Sequence, residues 1–398
     1  MKKRYILAGL LASSLSVFAQ QATPSYSKKK LKQTDVQLLF SYYTQDNDHS
    51  AVTGGTGTED LQVYASQLIL DFGNDTTRTI HVDTGIDIIS SASTDNIDFV
   101  MSSASKIDYR THLNLGYGRR IRGTGFTYGV NGGLSVESDY YSRGIGFTLS
   151  HVDPSKSDEW SVSLQSFFDD LQWGRLDNGH AQKLIYPSEL RDTTWFTKTR
   201  RNSYNLSFGY YKTINERMAL GIYPGLMYQE GLLATPFHRV YFRNDSKRVE
   251  NLPDNRWKIP IGIQLNTFLG RRVIIRSSYR YYWDSFGITA HTLNIEAPVK
   301  VNFVWTFSPF IRLYKQTQAD YFKPYGEHAL NAEFYTSDYD LSDFTSYKAG
   351  LGVRITPIPK RDKYRFREFE IRYAYYKRSD GMVAHMVTTF FDFKFEKK

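Results

Sequence analysis

The chain has no cysteine, which excludes a disulfide framework, thiol chemistry and a lipid-anchored N-terminus. Beyond residue 19 it has no apolar run near the about 20 residues a membrane helix needs, so helical spans are excluded. Proline is scarce, at 12 in 398 residues, which leaves few breaks in extended segments. Catalytic signatures are missing too: there is no Gly-x-Ser-x-Gly, no His-Glu-x-x-His and no phosphate loop. Charge of one sign is also lacking, once the N-terminus is understood.

Residues 1–19 read as a cleaved secretory signal peptide. "MKKR" is a charged start, "YILAGLLASSLSVF" an apolar stretch, and "VFA" before Gln20 a small-residue cleavage site. Removing Lys2, Lys3 and Arg4 lowers the basic count from 50 to 47 against 41 acids, a balance of +6. That excess is too small for a nucleic-acid footprint, and an exported chain seldom meets one, so no nucleic-acid partner is expected. Residues 20–32, "QATPSYSKKKLKQ", read as a flexible basic lead-in, and 33–395 as a single domain.

What is present is aromatic residues, 30 Tyr and 26 Phe, set in period-two alternation to the end of the chain. In "DYRTHLNLGYG", Tyr109, Thr111, Leu113, Leu115 and Tyr117 share one face, and Asp108, Arg110, His112 and Asn114 the other. Soluble sandwiches also alternate, but these segments run about 10–13 residues where ordinary strands average about 5–6. Aromatics cluster at the ends of the apolar faces, as membrane girdles require. A closed barrel pairs every backbone group in hydrocarbon without leaving an edge. The fold class expected is therefore all-β: a transmembrane antiparallel up-and-down β-barrel of about 16 strands, within a range of about 14–18.

The sixteen segments are 34–45, 60–72, 79–89, 108–118, 126–136, 140–151, 160–169, 201–213, 218–228, 257–268, 272–283, 287–297, 299–312, 346–356, 367–377 and 382–395. Their connections alternate. Short ones such as "NDTTR", "INER", "GRR" and "PVK" read as periplasmic turns, and the long pieces 46–59, 90–107, 170–200, 229–256 and 313–345 as extracellular loops.

With apolar faces toward lipid, the lumen-lining charges are Asp35, Asp83, Asp87, Arg110, Arg276, Arg280, Glu296, Glu368, Glu370, Arg372, Asp392 and Lys394. Such charges either neutralise one another in cross-strand pairs or select solutes in a polar channel. In the loops, "TSDYDLSD" offers Asp338, Asp340 and Asp343, and "STDNID" offers Asp95 and Asp98. Clustered carboxylates suit Ca²⁺, but the spacing lacks the glycine and closing Glu of an EF-hand, so a solvated acidic turn is the plainer reading. Otherwise no cofactor is expected. His112 and His291 are the two histidines that a membrane-embedded hydrolase could use. The tail "VTTFFDFKFEKK" puts Phe391, Phe393 and Phe395 on the lipid side and Phe390 inward. It resembles the terminal signal read by the barrel-assembly machinery, with Glu396, Lys397 and Lys398 trailing beyond.

"SYYTQD" after the first strand, "SSASTDNID" after the third, "ADYF" before "EFYTSDYDLSDF", and the closing "TTFFDFKF" carry a wider resemblance. The chain resembles an uncharacterised family of Gram-negative outer-membrane barrels, a domain-of-unknown-function family, over nearly the whole mature length. The resemblance implies an outer-membrane location among lipid and lipopolysaccharide, and carries over no catalytic residue. Members tend to be encoded near thiol-redox and flavin-transfer proteins, which implies a part in envelope redox maturation. Three functional expectations follow: a porin-like or gated pore for small polar solutes, a non-channel barrel whose long loops serve an envelope protein partner, and an outer-membrane hydrolase.

Overall fold

A computed structural model describes residues 32–75, 77–91, 107–137, 140–153, 155, 157–171, 200–235, 238–358 and 364–397. The signal segment 1–19, the lead-in up to residue 31, and Asp95 and Asp98 lie outside the described residues. In chain order the strands are β1 (Lys32–Asp46), β2 (Leu61–Asp75), β3 (Arg78–Ser91), β4 (Ile107–Arg120), β5 (Phe126–Glu137), β6 (Tyr140–Asp153), β7 (Asp158–Leu171), β8 (Arg200–Asn215) and β9 (Met218–Gly231). A loop hairpin, β10 (Arg239–Tyr241) and β11 (Lys247–Val249), precedes β12 (Asn255–Leu269), β13 (Val273–Asp284), β14 (Thr289–Glu296) and its short continuation β15 (Val299–Lys300). The chain closes with β16 (Trp305–Gln316), β17 (Phe344–Ile355), β18 (Tyr364–Arg378) and β19 (Val383–Lys397).

Counting β14 and β15 as one crossing, sixteen antiparallel strands form a closed ring. The seam is β1 against β19, paired from Lys32↔Lys397 to Asp46↔Val383, so no edge remains. A strand of 12 residues, such as β5, tilted about 45° spans about 28 Å, close to the thickness of bilayer hydrocarbon.

Polarity is inside out relative to a soluble sandwich. Ile145 is 63% exposed and Leu115 52%, whereas Asp83 is 4% and Arg110 7% exposed. The apolar face points outward and the charged face lines the lumen. Outward aromatics form belts at both ends. Phe168, Tyr204, Tyr228 and Trp257 contact one another in succession across β7, β8, β9 and β12. At the other end Phe126, His151 and Trp160 link β5, β6 and β7.

Short turns gather at the end holding Lys32 and Lys397, hereafter the terminal end; the long connections start and finish at the opposite, loop end. One strand expected from alternation, 299–312, is corrected. Residues 301–304 are a turn, and the strand that follows starts at Trp305. Pro298 interrupts the ladder between β14 and β15. The Asn302 side chain then accepts from the N–H groups of Val304 and Trp305 at 2.8 Å each, which folds "VNFVW" back although its alternation mimics a strand. The turn is therefore not at "PVK", whose Val299 and Lys300 pair with Phe307 and Thr306. On β19, Phe391, Phe393 and Phe395 face outward against Phe369, Phe366 and Tyr364 of β18. A register shift between Phe366 and Glu368 keeps Tyr364 and Phe366 on that outer face.

Candidate functional site

Alternation places the charged residues of each strand in the lumen, and register decides which of them meet. On one arc of the wall the partners have opposite sign. His81 Nδ1 lies 2.8 Å from Asp71, and the Gln67 amide donates to Asp83 at 2.7 Å. His112 Nε2 is 3.4 Å from Asp83. Arg110 reaches Asp87 at 3.4 Å and Glu137 at 3.8 Å, and donates to the Ser135 hydroxyl at 3.1 Å.

Near the terminal end of the opposite arc a second network joins β14, β17 and β18. Arg372 bridges Glu296 at 3.1 Å and Glu370 at 2.9 Å, and Arg354 bridges Glu370 at 2.8 Å and Glu368 at 3.1 Å. Arg276 stands directly opposite Glu296 in register. At the seam Arg367 lies 3.1 Å from Asp35 and 3.5 Å from Asp392, and Lys394 is 3.7 Å from Glu396.

Nearer the loop end, the same arc is different. Arg312 faces Lys348 directly across β16 and β17, and Arg280 projects inward from β13 toward them. None of the three makes an ion pair among the described residues; Arg312 donates instead to the Asn294 amide oxygen at 2.5 Å. Like charges facing across a ladder are ordinarily unfavourable.

Three connections at the loop end form a cap. Segments 47–60, 232–235 with 238–254, and 317–343 pack against one another and against inward-facing strand ends. Leu232, Leu233, Leu252, Phe322 and Leu341 are buried with Leu171 of β7. Gly54 and Gly55 take φ of 81° and 90°, and added Cβ atoms would stand 2.5 Å from the Tyr241 ring and 2.8 Å from the Ser337 carbonyl oxygen. Only glycine allows that approach. Buried ion pairs tie the cap's surroundings down: Arg201 with Asp169 at 2.5 Å, Arg256 with Asp284, and Arg378 with Asp340 at 2.6 Å. Asp284 also accepts from the N–H groups of Phe286 and Ile288, which shapes the hairpin under the cap.

The acidic triplet Asp338, Asp340 and Asp343 does not converge on one point. Asp338 caps its own turn by accepting from Asp340 N–H at 2.9 Å, Asp340 faces Arg378, and Asp343 is exposed. The chemistry of Asp338 lies elsewhere, with Glu250 and His238. His238 Nδ1 is 3.4 Å from Glu250 and 3.8 Å from Asp338. Glu250, fully buried, also accepts from the Thr336 hydroxyl at 2.5 Å and the Thr235 N–H at 2.6 Å. Burial alone would lower the His238 pKa, but Glu250 and Asp338 outweigh it and hold the imidazole above its ordinary value. Burial opposes ionisation of Glu250, yet His238 and the two hydrogen bonds hold it below the usual range. Burial and neighbouring Asp340 push Asp338 up. The trio is also the one cluster among the described residues with metal-ligand spacing.

The two histidines considered for hydrolysis are far apart in role. His112 lines the lumen, and its Nδ1 has no hydrogen-bond partner among the described residues. It stands opposite Ser135 in register, but that hydroxyl is engaged by Arg110. His291 lies on the outer face beside the Tyr279 hydroxyl at 2.7 Å. Alternation alone would have added Arg312 and Lys348 to the lumen set. The cap contacts of Glu250, His238, Asp169 and Asp284 depend on long-range packing that no local pattern announces.

A family model described as "Protein of unknown function (DUF3570)" matches residues 7–387. No curated protein matches the sequence. Among solved structures, the chain is similar to a bacterial polysaccharide outer membrane secretin, at TM-score 0.48 and 9% identity over 91% of this chain and 98% of that one. It is also similar to OccK1 (OpdK) of Pseudomonas aeruginosa, at TM-score 0.42 and 8% identity over 93% and 100%. A BenF-like porin from Pseudomonas fluorescens Pf-5 gives TM-score 0.42 and 8% identity over 92% and 99%.

Proposed function

Starting from the premise that the chain belongs to the DUF3570 family, whose description assigns no activity, we propose from the barrel itself that the protein is an outer-membrane pore for small polar solutes, anions preferred, gated by its loop cap. In this reading the end with short turns and both termini faces the periplasm and the cap faces outside. The signal peptide is cleaved before Gln20, and the outward Phe391, Phe393 and Phe395 serve assembly at the closing strand.

The observation that carries the reading is the cation set Arg280, Arg312 and Lys348, held without an acidic partner among the described residues inside a polar lumen. A wall built only for stability would pair them, as β2–β5 pairs its charges. Eight strands away in the ring of sixteen, the charge-paired wall of β3 stands opposite β13, whose Arg280 joins Arg312 and Lys348. That arrangement leaves the excess positive charge on one wall and raises local anion concentration along it.

The test is reconstitution of the mature protein in a planar bilayer under a salt gradient. Discrete conductance steps with an anion-side reversal potential are expected, rare in the intact chain and frequent once residues 317–343 are replaced by a short Gly-Ser linker. A well-folded barrel that stays silent after this replacement would overturn the pore.

A further inference from the structure

Two hairpins of the barrel are versions of one unit. Residues 279–291 and 373–385 share the pattern Y-x-Y-Y-x-x-S-x-G-x-x-A-H. The register is the same, Tyr281 opposite His291 and Tyr375 opposite His385. Each turn closes alike: Asp284 N–H donates to the Ile288 carbonyl at 3.0 Å, and Arg378 N–H to that of Met382 at 2.9 Å.

On the outer face the correspondence continues. The Tyr279 hydroxyl is 2.7 Å from His291 Nδ1, and the Tyr373 hydroxyl 2.8 Å from His385 Nδ1. A second ring packs on each imidazole, Tyr281 and Tyr375, both at 5.4 Å between centroids. A phenol donating to Nδ1 selects the tautomer that carries its proton on Nε2. With the phenol as donor, each unit holds an Nε2–H on the outer face of the barrel, and both imidazoles are exposed.

Between the units, side chains on the outer face of β14, β16, β17 and β18 border an open groove of about 510 Å³. Its floor is Leu293, Leu313 and Tyr347, and its loop-end rim is His291, Lys315 and Lys377. His291 stands directly opposite Lys315, and Lys377 opposite Tyr347. Both lysines are exposed and make no ion pair among the described residues. An apolar floor under an unneutralised cationic rim is complementary to one kind of molecule at a membrane boundary, an acylated lipid with an anionic headgroup.

We propose that this groove binds a phosphorylated glycolipid of lipid A chemistry, with an acyl chain along Leu293, Leu313 and Tyr347 and a headgroup phosphate held by Lys315, Lys377 and the Nε2–H of His291. The assignment rests on the reading above that the loop end faces outside, where such lipids form the outer leaflet.

Native mass spectrometry of the mature protein in detergent tests it, titrating bis-phosphorylated lipid A, its dephosphorylated form, and inorganic phosphate. Lipid A should be retained, and Lys315→Gln and Lys377→Gln should each weaken it about fivefold, the pair together about 25-fold. Lys247→Gln, in the loop hairpin, should change nothing. Dephosphorylated lipid should bind the intact protein as weakly as lipid A binds the double variant. Heat-modifiable gel migration reports that each variant is folded. Equal retention of the two lipids, an unaffected double variant, or inorganic phosphate bound as tightly as lipid A would each overturn the site. Conductance in pure phosphatidylcholine bilayers, measured on the chain with residues 317–343 replaced, separates the two readings: a protein that conducts there yet binds no lipid A overturns only the groove, and one that stays silent there yet binds lipid A overturns only the pore.

Discussion

The two arcs of the lumen wall handle charge in opposite ways. On β2–β5, Asp71, Asp83 and Asp87 each meet a histidine or an arginine, and Gln67 adds a further bond to Asp83. On β13–β17, Arg312 stands opposite Lys348 with Arg280 nearby and no carboxylate among them. The first arc obeys the cross-strand rule, and the second departs from it at mid-wall while the ion-paired network of Glu296, Glu370, Arg354 and Arg372 holds the strands in place near the terminal end. Departures from local favourability concentrate where a protein does something, because the surrounding structure carries the cost. On the pore reading proposed above, the difference separates a wall that stabilises the barrel from a wall that acts on what passes.

Removing a charge tests this contrast, because the sign of the stability change should depend on whether that charge is paired. The largest effect is expected where a buried pair breaks. Arg201→Ala, beyond the end of the paired arc, leaves Asp169, 5% exposed, without its guanidinium and should cost about 3–5 kcal/mol in urea unfolding followed by gel migration. Gly55→Val comes next. The new side chain meets Ser337 and Tyr339 at a left-handed φ, so the cap should loosen at a cost of about 1–3 kcal/mol, and open-channel probability should rise while the barrel still migrates as folded.

The cap should also respond to pH. His238 is held above its ordinary value, so its contribution is complete below about pH 6.5 and is lost as pH rises through the raised value. Glu250 is held below the usual range, so its contribution is complete above about pH 4.5 and is lost as pH falls through the depressed value. Asp338 is pushed up, so ionising it opposes the packed cap at higher pH. Closure should be tightest at mildly acidic pH and loosen on the alkaline side. His238→Gln should flatten the alkaline limb of open probability against pH.

The smallest stability effect belongs to the second arc. Lys348→Gln relieves a like-charge contact and should leave stability unchanged or raise it by up to about 1 kcal/mol, while moving the reversal potential toward cations. A destabilisation like that of Arg201→Ala would show that Lys348 is a structural charge and erase the distinction of the second arc.

Much of this was legible before any tertiary information. The parity of Asp83, Asp87, Arg110, Arg276 and Glu370 follows from period two, since a strand sends neighbouring side chains to opposite faces. The exception is instructive. "VNFVW" alternates as a strand should, yet Asn302 turns it, because a side-chain acceptor two residues ahead competes with the ladder and alternation carries no sign of it. Asp340 likewise read most plainly as part of a solvated acidic turn, and instead answers Arg378 of β18 in a buried ion pair.

By itself, the sequence determined the closed antiparallel barrel, its apolar exterior, the aromatic closing strand and the faces on which the charges lie. These follow from backbone pairing and side-chain period, which act between neighbours in the chain. Only the tertiary structure decided which charges meet, that three distant loops interlock through Gly54, Gly55, Glu250 and Asp338, and that two repeated hairpins flank a cationic groove. Those outcomes depend on the stagger of strands around the ring and on contacts between segments far apart in sequence, and no local pattern encodes either.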